Sequence, residues 1–198
     1  RGGALVVFLA RSAGWLTDEC WGDPSRACRV LEGLAKAHRE HPRDAQVEAA
    51  VSQAFEHLTD VVLSLPPSSF TPHNYACIAH AFSQRSPASS RLLLCFLSAN
   101  YPGGATWSDA SLLASSLSAA SVFGQAFHRI EADAALELSQ KKHGETGEKH
   151  GGMRTRDAAR MAAAMARQRG MIAASPNLRK VIVNAVVGEE GDGEGLLR

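Results

Sequence analysis

Three stretches of this chain share one short pattern. Residues 74–82 read NYACIAHAF, residues 109–117 read DASLLASSL and residues 157–165 read DAARMAAAM. Each opens on Asn or Asp (Asn74, Asp109, Asp157) and has a large apolar residue at the fifth place (Ile78, Leu113, Met161). Alanine holds the sixth place (Ala79, Ala114, Ala162) and a large apolar residue the ninth (Phe82, Leu117, Met165). The fifth and ninth places are four residues apart, so on a helix they lie on one face. The alanine beside them lets a neighbouring helix approach closely, and the Asn/Asp falls near a helix start, where a cap or first-turn acid is favourable. A looser copy occupies residues 25–38, with Val30, Leu34 and Ala35.

An apolar segment follows each copy: 90–99 (SRLLLCFLSA), 123–138 (FGQAFHRIEADAALEL) and 177–187 (NLRKVIVNAVV). Residues 3–13, with ALVVFLA, resemble such a second helix without its first. Val47, Val51, Phe55, Leu58, Val62 and Leu65 form one helical stripe, ended by Pro66 and Pro67. Turn formers separate the segments: His41-Pro42, Ser86-Pro87, Pro102-Gly103-Gly104 and Ser175-Pro176. Alternating β-branched runs with tight-turn signals do not occur. Spacings of 35 residues (Asn74 to Asp109) and 48 (Asp109 to Asp157) belong to two-helix repeats, which bury their faces only against neighbours. The expectation is therefore an all-α chain, an α-solenoid of about four helix-turn-helix repeats and a stretch of a longer array. A one-off bundle of alanine-rich helices is the alternative. The expected organisation is an orphan helix and linker over 1–23, repeats over 24–142, a flexible basic loop over 143–152, a final repeat with a basic helix over 153–187 and an acidic glycine-rich tail over 188–198.

Composition narrows the function. Of 198 residues, 45% are apolar and 21% charged, which excludes a wholly disordered chain. No apolar run approaches the ~20 residues of a membrane span. Cys20, Cys28, Cys77 and Cys95 include no CxxC pair, so neither a zinc ribbon nor a disulfide framework is expected. His38 and His41 lie three apart without an acid pair to complete a metal site, and no HExxH or GxSxG motif occurs. No cofactor, metal, small-molecule substrate or catalysis is expected. Ser108, Ser111, Ser115 and Ser118 form a small polar stripe suited to close repeat packing, and Trp15, Trp21 and Trp107 read as helix-junction anchors.

Charge is unevenly placed. Residues 1–140 are nearly neutral, which suits protein contact, whereas residues 141–183 hold ten Lys/Arg against three Asp/Glu, net +7. Such a concentration is the usual footprint of a polyanion partner. On a helix over 153–169, Arg156, Arg160 and Arg167 fall within about 40° of one another. Ala158, Met161, Ala162 and Met165 fall opposite, on the expected packing face. Arg154, Arg169, Arg179, Lys180, Lys141 and Lys142 flank the stripe and complete the candidate set for RNA phosphate. The planar guanidinium fork can donate two hydrogen bonds to phosphate at once. An ordinary solvated helix face is the other reading of the same residues.

The [N/D]-x3-[L/I/M]-A-x2-[L/F/M] core with its leucine-rich second helix resembles the repeats of the FASTK/RAP-type family and the related heptatricopeptide and octotricopeptide repeats, here without a visible RAP domain. IAHAF at 78–82 and LASSL at 113–117 are the closest versions, and the resemblance covers roughly residues 24–187. It implies a mitochondrial matrix protein acting on organelle RNA. A short member with one basic segment is expected to be a non-catalytic structural subunit of a mitochondrial ribosome, with rRNA and neighbouring subunits as partners. An accessory subunit of a mitochondrial membrane complex and an RNA-processing factor are the alternatives.

Overall fold

The structure is a computed structural model and describes residues 2–13, 23–85, 90–122, 124–142, 152–168 and 173–191. Among these residues there are nine α-helices and no strand: α1 (Gly2–Ala13), α2 (Pro24–Glu40), α3 (Ala45–Ser64), α4 (Pro72–Ser83), α5 (Arg91–Asn100), α6 (Trp107–Ala119), α7 (Gly124–Lys142), α8 (Thr155–Ala166) and α9 (Pro176–Gly191). A single 3-10 turn, Pro67–Ser69, links α3 to α4.

The helix starts follow from local chemistry. The Asp23 carboxylate accepts from the Ser25 amide at 2.8 Å and Asp44 from those of Gln46 and Val47, filling donors that a first turn leaves open. At α4, Thr71 Oγ1 accepts from the Asn74 amide while Asn74 Oδ1 accepts from the Thr71 amide at 2.9 Å, a reciprocal box. Thr106 accepts from the Asp109 amide at 3.2 Å, repeating half of that device at α6. Pro24, Pro72 and Pro176 open α2, α4 and α9, where the missing N–H costs nothing.

The helices stack in two layers. In the first, α2, α4, α6 and α8 lie side by side, each touching the next. In the second, α1, α3, α5, α7 and α9 do the same. Each first-layer helix also packs on the helix that follows it in sequence, giving hairpins α2–α3, α4–α5, α6–α7 and α8–α9. These are the four expected repeats, and the three motif copies are the starts of α4, α6 and α8. The orphan segment is α1, packed chiefly on α3 in the second layer. The core runs along the array: Leu31, Leu58, Tyr75, Ile78, Leu94, Leu97, Leu113, Ile130, Met161 and Leu178 are all buried.

Two connections need special backbone. Gly103 and Gly104 both have positive φ, 82° and 71°, and the Gly104 amide donates to Asp133 Oδ2 on α7 at 2.8 Å. A Cβ on Gly103 would lie 3.3 Å from both Asp133 carboxylate oxygens, so glycine is required there for conformation and space. Ser121, with φ of 56°, ends α6, and the Val122 amide donates back to Leu117 O at 3.0 Å.

Some expectations shift. The basic helix is shorter than 153–169, and α9 continues to Gly191, so residues 188–191 of the expected tail are helical. Ala162 is exposed, not packed, because α8 is the last described helix of its layer and no described element covers that side. His41 ends α2 as its C-cap instead of lying on one helix with His38. Residues 143–151, Trp15, Trp21, Cys20, Arg169 and 192–198 lie outside the described residues.

Candidate nucleic-acid interface

The basic residues gather at the last hairpin. Arg154 precedes α8 as its N-cap and is exposed; Arg156 and Arg167 are exposed on the helix and at its C-cap. A cation at that C-cap complements the open carbonyls there. Arg160 is only one-third exposed. Arg179 and Lys180 are exposed in the first turns of α9, whose N-terminal amides at Asn177 and Leu178 donate to the Glu131 carboxylate of α7, both at 2.9 Å. Lys141 and Lys142 close α7. Thus Arg154, Arg156, Arg167, Arg179 and Lys180 are solvent-facing, and Arg160 turns partly inward.

The reason is Asp157. It is the motif acid of α8 and is 2% exposed. Its Oδ1 takes a hydrogen bond from Ser111 Oγ of α6 at 3.4 Å, and Arg160 Nη1 and Arg156 Nε stand 3.8 and 3.9 Å away. Arg160 also donates to Ser111 Oγ at 3.3 Å. Arg160 therefore neutralises a buried carboxylate at the α6–α8 junction, a role the charge pattern alone did not reveal.

The same place is used at every first-layer junction. Asn74 Nδ2 donates to Cys28 Sγ of α2 at 3.4 Å, and Asp109 Oδ1 meets His73 Nδ1 of α4 at 2.9 Å. The motif Asn/Asp is thus a clamp on the helix before, and at α4 it also caps its own helix. The recurrence was visible in sequence; its second partner was not, because that partner is Cys, His or Ser in turn.

His73 Nε2 also lies 3.3 Å from Cys77 Sγ, which joins Cys77, His73 and Asp109 in a chain. Burial pushes the Cys77 thiol well above the ordinary range, and nearby Glu32 pushes it further. The thiol therefore stays protonated. Burial likewise pushes Cys28 up to about 12, against the Asn74 hydrogen bond that lowers it. Both sulfurs act as packing groups with weak hydrogen bonds. On the same outward side of the first layer, His80 is held below its usual value by burial, then by Arg39 and Arg160. Ser111 and Ser118 are buried under α8, where Ser118 Oγ donates to Ala164 O at 2.8 Å. Ser111 and Ser118 of the expected stripe therefore pack closely, while Ser108 is exposed and Ser115 half-buried. Trp107 Nε1 donates to Glu137 of α7, as a junction anchor does.

Among the described residues no group of three or more His, Cys, Asp or Glu could hold a metal ion, and no helix is long and apolar enough to cross a membrane. The fold places the chain in the class of stacked helix-hairpin arrays. Beyond that class, it matches no family model, no curated protein and no solved structure.

Proposed function

We propose that this chain is a non-catalytic structural subunit of a mitochondrial ribosome, resting its last repeat on rRNA phosphate and its neutral repeats on neighbouring proteins. The observation that carries this reading is the exposure of Arg154, Arg156 and Arg167 along one helix, with Arg179 and Lys180 on the next. Guanidinium groups on a rigid helix can meet a phosphate backbone without reading bases. Arg160 contributes to the field there while its contacts run to Asp157 and Ser111.

The test changes Arg154, Arg156 and Arg167 to Glu and leaves Arg160 in place, since its loss would strand Asp157. Each phosphate contact contributes a slope of roughly 0.9 in log K against log salt on a duplex. The triple variant is expected to keep its fold by circular dichroism, lose RNA binding and flatten that slope by about 2 to 3. Unchanged RNA retention in the folded variant would remove the proposal. Sedimentation of the native particle before and after RNase separates it from a membrane-complex scaffold, whose sedimentation RNase leaves alone.

A further inference from the structure

The solvent-facing side of α8 carries its free cations at the two ends. Arg154 and Arg156 stand at the start, the Arg156 side chain 71% exposed, and Arg167 stands at the C-cap. Arg156 and Arg167 are eleven residues apart, so they fall within about 20° of one another on the wheel and about 16 Å apart along the axis. The first turns of α9, which follow that second end in the hairpin, add the exposed Arg179 and Lys180. Between the ends the face is low. Ala159 and Ala163 lie on the same side of the wheel and are both exposed. Arg160, the long side chain between them, is drawn back: its Nη1 is 3.3 Å from Ser111 Oγ and 3.8 Å from the buried Asp157 carboxylate. Residues 152–191 contain no Phe, Tyr, Trp or His.

We propose that this face bridges the two phosphate backbones beside the minor groove of an A-form RNA duplex, Arg156 on one strand and Arg167 on the other, with Ala159 and Ala163 over the groove. The assignment rests on the polyanion reading of the last repeat and names the form of RNA it takes. A helix that tracks one strand needs cations at close intervals, because phosphates recur about every 3.4 Å of axis even on a B-form strand. Two cationic ends about 16 Å apart, with only methyl groups between, suit two strands instead. Unpaired RNA is held by stacking its bases on aromatic rings or guanidinium planes. The last hairpin has no such rings, and the Arg160 guanidinium is engaged with Ser111 and Asp157. A B-form major groove is read by polar side chains on the inserted helix, where α8 presents alanine. The A-form minor groove is wide and shallow and displays 2′-hydroxyls. A low helix face can lie across it while the arginines at its ends reach the backbones.

The experiment measures binding of the full chain to three probes at one salt concentration: a blunt-ended RNA duplex, one of its strands alone, and the DNA duplex of the same sequence. The RNA duplex is expected to bind about tenfold more tightly than either other probe, the scale of one charge-assisted hydrogen bond. Arg156→Gln or Arg167→Gln alone should bring the duplex to the level of the single strand, since one end cannot bridge. Their losses on the duplex should therefore be less than additive. Ala159→Leu combined with Ala163→Leu should keep Tm, because both sites are exposed and leucine is a good helix former. By lifting the helix off the groove, that pair should lower the ratio of duplex to single-strand affinity about tenfold. Equal affinity for duplex and single strand, or for RNA and DNA duplexes, would overturn the assignment. The polyanion reading would then still stand if the Arg154, Arg156 and Arg167 triple variant loses all binding. A duplex preference that survives the two leucines would also overturn the groove contact. A native chain that binds none of the three probes removes both readings.

Discussion

A carboxylate as buried as Asp157 persists only with its partners in place. Replacing it with Ala removes the carboxylate that Arg160 faces and one of two acceptors near Ser111, whose hydroxyl keeps the Ser108 carbonyl at 3.0 Å. The expected loss is about 2 kcal/mol, discounted because Arg160 is still partly hydrated, with a smaller loss for Asp157→Asn. Urea midpoints measure both. Two further residues set a response to acid. Burial raises the Glu48 carboxyl, but hydrogen bonds and charge from Arg85, with His38, leave it below its ordinary value. Its contribution is therefore present above the unfolded value near 4.5 and is lost as pH falls through the lower folded value. His80 is also depressed, so the unfolded chain takes up its proton first. Stability from that group begins to fall as pH drops below about 6.5 and goes on falling until the folded value is passed. Urea titrations across pH are expected to show both losses, the upper one reduced by His80→Gln and the lower one by Glu48→Gln. None of these partnerships could be read from the chain: Glu48 and Arg85 are 37 residues apart, and Ser111 and Asp157 are 46 apart. Pattern finds faces, whereas a specific polar pair depends on which turn of one helix meets which turn of another.

At the scale of the element, the alanine of the motif has two meanings. Ala114 is fully buried where α8 crosses α6, and Ala162 stands open at the end of the row. Ala114→Leu is expected to cost about 1–3 kcal/mol by overpacking, and Ala162→Leu less than about 0.5 kcal/mol, both read from thermal or urea unfolding. The helices themselves were legible from spacing of three and four and from Asn/Asp near the first turn, whereas Pro24 and Pro72 at helix starts were not read. Their pairing into hairpins followed from short turn-rich separators. The expected packing of Ala162 failed because a helix periodicity gives the width of an apolar face without saying whether a neighbour exists to use all of it. Arg160 was half legible: its angle on the wheel was right, and its capture by Asp157 was a matter of three-dimensional reach.

For the whole molecule, stability is approximately a sum over neighbours, because among the described residues the helices pack on their neighbours along the array. Removing residues 1–13 takes away α1, with Ala10 buried and Val6 and Val7 packed on the core. The expected cost is about 3 kcal/mol of apolar burial, with a single transition surviving in the remaining hairpins. Two transitions in calorimetry would mean that the array is divided more deeply than its stacking implies.

The layered order also bears on synthesis. The hydrogen bonds between successive first-layer helices span 36 to 50 residues, one repeat in each case. A nascent polypeptide therefore completes each hairpin's docking as soon as the next has emerged, without waiting for its far terminus. Low contact order of this kind favours fast folding that can follow elongation from the amino end.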